Sequence, residues 1–180
     1  MRKMIVVLLV MCLWVLSAAP IRAQQPAPSG PASEVLRSWN YIGKRLIDMA
    51  EDLPEDKYDY RPTPEVRTFA EQLLHVAGSN YHFIDTARGR ELGPEDLPRE
   101  KHRTKAEVVA VLKKSFEEGA ELIRQAGDEG MGKQVKYPYG NRQMSQYGFW
   151  LDPVEHAGEH YGQLVVYYRL NGLVPPASRR

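Results

Sequence analysis

Cysteine is almost missing from this chain: Cys12 stands alone among 180 residues. A lone thiol closes no disulfide within the chain, and no Cys-x-x-Cys-His run exists to attach haem covalently. With at most one thiolate to offer, a transition-metal site must rest chiefly on histidine and carboxylate ligands, and wholly on them if Cys12 is cleaved away. Glu-x-x-His pairs, the ligands of bundle di-iron proteins, are absent as well. Charge of one sign is also lacking, with 24 Lys and Arg against 23 Asp and Glu. Such a balance gives no basic surface for phosphates, so nucleic acid is not an expected partner. Internal repeats and low-complexity domains are absent too.

What is present begins with Met1-Arg2-Lys3 and an apolar run from Ile5 to Leu16. The run falls short of the roughly 20 apolar residues that a membrane-spanning helix needs, and its charged start suits a secretory signal peptide. Ala23 offers a small residue for cleavage, which assigns 1–23 to the signal peptide and makes the mature protein secreted or periplasmic. The alternative is an uncleaved membrane anchor. Cleavage removes Cys12 together with Arg2, Lys3 and Arg22, leaving 21 basic against 23 acidic residues and no disulfide chemistry. No stable membrane insertion is expected after cleavage.

Gln24 to Ala32, rich in Pro, Ala, Gln and Ser, reads as a flexible mature N-terminus. Residues 33–176 form one domain, long enough to bury its own core. From about Ser33 to Leu53, Val35, Trp39, Ile42, Leu46 and Met49 follow a helical period, which Pro54 ends. Thr68-Phe69-Ala70-Glu71 is a capping box that opens a second helix running to about Arg88 and Gly89. Thr104-Lys105-Ala106-Glu107 is another, opening a third helix that ends near Gly127. Between Gly127 and Leu151 the pattern weakens; Tyr137-Pro138-Tyr139-Gly140-Asn141 is a turn signal. Asp152, Pro153 and Glu155 then read as the start of a fourth helix, stopped by Asn171-Gly172. The fold class is all-α, a four-helix bundle.

The fourth helix carries the chemistry. His156 and His160 lie one turn apart on one face, with Cβ atoms about 5–6 Å apart. Both fall opposite Glu155, Gly158, Gly162 and Arg169, so they look into the core, where a neutral imidazole needs hydrogen-bond partners or a metal. A third ligand is expected from the second helix. His75 stands at the edge of its apolar stripe, with Gln72 and Ser79 nearby. His82 points a similar way, only about 20° off. Asn80 falls mid-stripe and must find partners, structural or in a pocket. Glu159, Gln163 and Tyr167 are candidates to orient ligands or meet a substrate. Three imidazoles suit zinc or nickel better than magnesium or calcium, which prefer oxygen. His156 to His160 also spells the His-x-x-Glu-His peptidase motif, with Glu159 as its base. That chemistry requires a further acidic ligand well downstream, and the remaining stretch is short.

The chain resembles the DinB/YfiT-like metalloprotein superfamily. The matching stretches are Glu71-Gln72-Leu73-Leu74-His75, His156 to Gln163, and Tyr58-Asp59-Tyr60-Arg61-Pro62-Thr63-Pro64, and the resemblance spans roughly Ser33 to Pro176. It implies a bundle holding one divalent ion on His75, His156 and His160, with open positions for water or substrate, and it selects His75 over His82. Relatives include thiol-dependent S-transferases and a mycothiol-dependent isomerase. The expected function is an exported metal-dependent enzyme of transferase or hydrolase type acting on a small molecule. The alternative is a bundle that binds metal or a small ligand without turnover. A homodimer is compatible with either.

Overall fold

The structure, a computed structural model, describes residues 30–179. The signal-peptide segment and Cys12 lie outside the described residues. Four helices carry the fold: α1 (Pro31–Asp52), α2 (Phe69–Ala87), α3 (Lys105–Met131) and α4 (Gln146–Leu170). Each of α1 and α2 packs against both α3 and α4, so the order around the bundle is α1, α3, α2, α4. Consecutive helices α1 and α2 are thus diagonal to one another. That arrangement sets α2 directly against α4, the pair that carries the histidines.

α1 begins at Pro31, before the Ser33 start that periodicity predicts. Gly30 at its N-cap has no side chain to offer, and the Asp128 carboxylate from α3 accepts from the Ala32 amide at 2.9 Å instead. One orphan donor of the first turn is thereby satisfied by a distant residue, which no local pattern reveals. The buried face of α1 is Val35, Trp39, Ile42, Leu46 and Met49, as the period predicts. Trp39 is fully buried, with its ring 5.1 Å from Phe116 and 5.7 Å from Trp150, and its indole N–H donates to the Phe116 carbonyl at 2.8 Å. Gly119 leaves room for this ring, since a Cβ there would lie 2.3 Å from it.

Both capping boxes form as expected. The Thr68 and Thr104 hydroxyls accept from the amides of Glu71 and Glu107, whose carboxylates return to the cap amides. α3 runs on to Met131, but Gly127 breaks it with a left-handed φ of 59°. The predicted stop is therefore a kink.

The fourth helix departs most from the sequence reading. It starts at Gln146 behind a Ser145 cap, so Asp152 is no cap and Pro153 lies inside the helix. Pro153 has no amide to give the carbonyl four residues back, a cost of about 3 kcal/mol or more in an unsupported helix. The added first turns bury Phe149 and Trp150 completely. Each such burial is worth about 1.5–3 kcal/mol or more, which offsets the proline. Before this helix, Gln134–Lys136 (β1) and Gln143–Ser145 (β2) pair as an antiparallel hairpin, with Val135 opposite Met144. The hairpin was not foreseen, although the turn between its strands was, with Gly140 at φ 112°. Among the described residues, no helix is long and apolar enough to cross a membrane.

Candidate metal centre

α2 is buried on nearly every side from Phe69 to Ile84, and the buried set includes Gln72, His75, Ser79, Asn80 and His82. So many polar side chains inside one helix require partners. Two of them find partners on α4.

The Nε2 atom of His75 lies 3.2 Å from that of His156, which lies 3.0 Å from that of His160. Ligand atoms of all three residues fall within 4.8 Å of one another. His75 and His160 are 7% and 6% exposed, and His156 is half-buried.

The outer ring nitrogens explain the arrangement. His75 donates through Nδ1–H to Asp96 Oδ1 at 2.9 Å, and Arg67 grips the same carboxylate at 3.0 and 3.3 Å. His160 donates through Nδ1–H to Gln72 Oε1 at 2.6 Å. Gln72 Nε2 donates in turn to the Tyr167 hydroxyl at 3.3 Å, and that hydroxyl donates to the Arg67 carbonyl at 2.6 Å. A neutral imidazole protonated at Nδ1 presents a lone pair at Nε2. Two lone pairs, on His75 and His160, therefore converge on His156, whose own Nδ1 is buried without a partner among the described residues. Such a cluster calls for a positive charge at its centre.

Protons supply that charge poorly here. Burial lowers all three histidines below their ordinary value of 6.5, and the charge of Arg67 pushes each the same way, as do the neighbouring imidazoles for His156 and His160; His160 falls to about 4. For Asp96, burial works upward, but the hydrogen bond and charge of Arg67, aided by His75, outweigh it and hold the carboxyl below its usual range. Near neutral pH the donor set is thus three neutral imidazoles, two of them oriented by outer hydrogen bonds. A donor set so arranged can hold a metal ion.

The other candidates distribute unevenly. Tyr167 reaches the centre through Gln72. Gln163 is exposed and lines a cavity of about 710 Å³ with Gln72, Tyr167 and Arg67. Glu159 is exposed on the outer face and touches His156 as a nearby charge. Ser79 lies 3.4 Å from the Tyr139 hydroxyl, while Asn80 donates to Ser115 on α3 at 3.1 Å; neither bond involves the three histidines. His82 donates to the Gly93 carbonyl at 2.8 Å, and His102 caps a short turn before α3.

Sequence reasoning missed the orienting role of Gln72 and missed Asp96 and Arg67 altogether. Gln72 stands one turn before His75 and was visible as a buried polar neighbour. Asp96 comes from the irregular connection between α2 and α3, where no periodicity tells which residue turns inward.

The family model for the DinB superfamily matches residues 40–164 of the chain. The chain belongs to the DinB superfamily. A search of the curated proteins finds no match. Solved DinB-superfamily structures share its fold. A DinB-like protein from Bacillus cereus aligns at 18% identity and a TM-score of 0.66, covering 79% of this chain and 93% of its own. The DinB-like protein YjoA from Bacillus subtilis aligns at 19% identity and 0.63, covering 82% and 99%. YfiT from Bacillus subtilis, described as a probable metal-dependent hydrolase with an unusual four-helix bundle topology, aligns at 16% and 0.61, covering 86% and 97%. At these identities the likeness carries the fold alone.

Proposed function

We propose that this DinB-superfamily protein is an exported metalloprotein that holds one divalent transition ion, zinc or nickel, on His75, His156 and His160 and uses it as a hydrolase- or transferase-type enzyme on a small molecule. The observation that carries the reading is the convergence of the three Nε2 atoms, two of them aimed inward as lone pairs by Asp96 and Gln72. The Nδ1 of His156 is buried without a partner among the described residues, so its Nε2 is the nitrogen that meets the other two rings. Support for an enzyme comes from the ligand count. Three protein ligands leave an open position, the pattern of catalytic rather than structural sites. Its fold relative YfiT is described as a probable metal-dependent hydrolase.

Bound there, a divalent ion supplies Lewis acidity to an electrophile or acidifies water toward a pKa of about 7. The chain's own residues do the rest. Asp96 and Gln72 hold two imidazoles in the Nδ1–H form, and the charge of Arg67 keeps Asp96 ionised. Gln163 and Tyr167 line the adjoining cavity, where exposed Gln163 offers an amide to a small polar substrate and the Tyr167 hydroxyl, held by Gln72 and the Arg67 carbonyl, braces its wall.

The test is metal analysis of the purified mature protein, followed by hydrolase and S-transferase screens of the metal-loaded and chelator-treated forms. One equivalent of zinc or nickel with activity lost on chelation is the expected result. One equivalent of metal with no turnover in either screen favours the binding protein. No retained metal removes the proposal.

A further inference from the structure

His82 is buried and aligned with His75 along α2, yet takes no part in the three-histidine cluster. Its surroundings give it another task. The segment Gly93–Asp96 carries the Asp96 carboxylate to His75, and it is exposed along most of its length. Nothing in its own regular structure holds it, since it belongs to the connection between α2 and α3. α2 grips it instead at two points. His82 Nε2–H donates to the Gly93 carbonyl at 2.8 Å. One turn earlier, the helix backbone at Gly78 approaches so closely that a Cβ there would lie 1.9 Å from the Glu95 carbonyl oxygen. From outside, the Tyr139 hydroxyl donates to the Glu95 carboxylate at 3.1 Å, and the Tyr139 ring lies 5.6 Å from that of His82.

We propose that Gly78 and His82 are positioning residues that latch the 93–96 segment onto α2, so that Asp96 locks His75 in its Nδ1–H tautomer with Nε2 bare. Their spacing supports this. Gly78 and His82 follow His75 by three and seven residues, so all three share one face of α2, and that face is covered by the segment. A side chain at Gly78 would lift the segment by more than a van der Waals contact allows, carrying Asp96 off His75. Loss of the His82 donor would free the same segment at its other end.

The test has two arms, and only the second rests on the metal reading. In metal-free protein at pH 8, ring ¹⁵N shifts should show His75 protonated at Nδ1. Gly78→Ala should move His75 to a mixture of tautomers; His82→Ala should do so in part, and His82→Gln, which keeps a donor for the Gly93 carbonyl, should restore it. In the metal arm, Gly78→Ala should weaken affinity for zinc about 10–100-fold, as loss of an outer-shell partner does. In an Asp96→Ala background the same change should alter affinity by no more than about twofold, because the group it displaces is already gone. An unchanged His75 tautomer in Gly78→Ala, or an undiminished effect of Gly78→Ala without Asp96, overturns the proposal. A wild-type chain that takes up no ion, while Gly78→Ala still shifts the tautomer, sinks the metal reading and leaves the latch standing.

Discussion

His156 Nε2 stands 3.0 Å from His160 Nε2 one turn along the same helix, and 3.2 Å from His75 Nε2 on the facing one. The first separation is a property of helical spacing. The second exists because the bundle brings α2 and α4 into direct contact, and it turns a histidine pair into a three-sided cluster.

Alanine at His75, His156 or His160 should abolish near-stoichiometric retention of the ion, measured by metal analysis after gel filtration. His82→Ala and His102→Ala should each still carry one ion per chain. Loss of metal from His82→Ala with retention in His75→Ala would reverse the assignment on α2.

Asp96 and Gln72 orient two of the three imidazoles, so on the proposed metal reading Asp96→Asn and Gln72→Ala should each weaken metal affinity about 10–100-fold while leaving the bundle folded. Competition with a chromophoric chelator reads the affinity, and far-ultraviolet circular dichroism reads the fold. Tyr167→Phe removes the hydroxyl that accepts from Gln72 and should act in the same direction as Gln72→Ala, more weakly.

The metal-free protein should lose stability as pH falls below about 6.5. Burial holds the three folded-state histidines below their unfolded value of 6.5, His160 at about 4. Between those values the unfolded chain binds more protons than the folded one, so unfolding becomes easier on acidification and the effect levels off below about pH 4. For His160 alone the full effect is on the order of 3 kcal/mol. Urea midpoints at pH 8, 6 and 4.5 should fall in that order, and less steeply in His160→Asn. A midpoint difference between the two proteins that does not change with pH would contradict this.

Trp39 ties α1 to α3 and α4 through Phe116 and Trp150. Trp39→Ala should cost about 3–5 kcal/mol in chemical denaturation. Gly119→Ala should destabilise as well, since its Cβ would lie 2.3 Å from the Trp39 ring. Both act without touching the histidines, so metal stoichiometry in the folded fraction should stay at one.

Export is tested at the N-terminus. Expressed in a bacterial host with its full sequence, the protein should appear outside the cytoplasm and begin at Gln24, and its unfolding midpoint should not respond to reductant because Cys12 has left. An intact Met1 on a cytoplasmic product, read by mass spectrometry, would sink the proposal.

Local rules carried much of this protein. Periodicity placed the buried faces of the helices, and Thr68 and Thr104 marked two helix starts, because a capping box is completed within four residues. The His156 and His160 pairing was equally local, set by a single helical turn. The start of α4 was not, since Pro153 is a good first-turn residue in isolation and only the burial of Phe149 and Trp150 extends the helix through it. The choice of His75 over His82 depended on long-range contacts, for both share one face of α2 and differ in what lies opposite: α4 for one, the Gly93 carbonyl for the other. Asp96 was beyond any pattern, because its position follows from how closely the connecting segment can approach the bare backbone at Gly78. Sequence by itself determined the buried helix faces and the donor types, since those depend on neighbours along the chain; which donors meet, and which tautomer His75 and His160 hold, was decided by packing between segments that the chain order keeps apart.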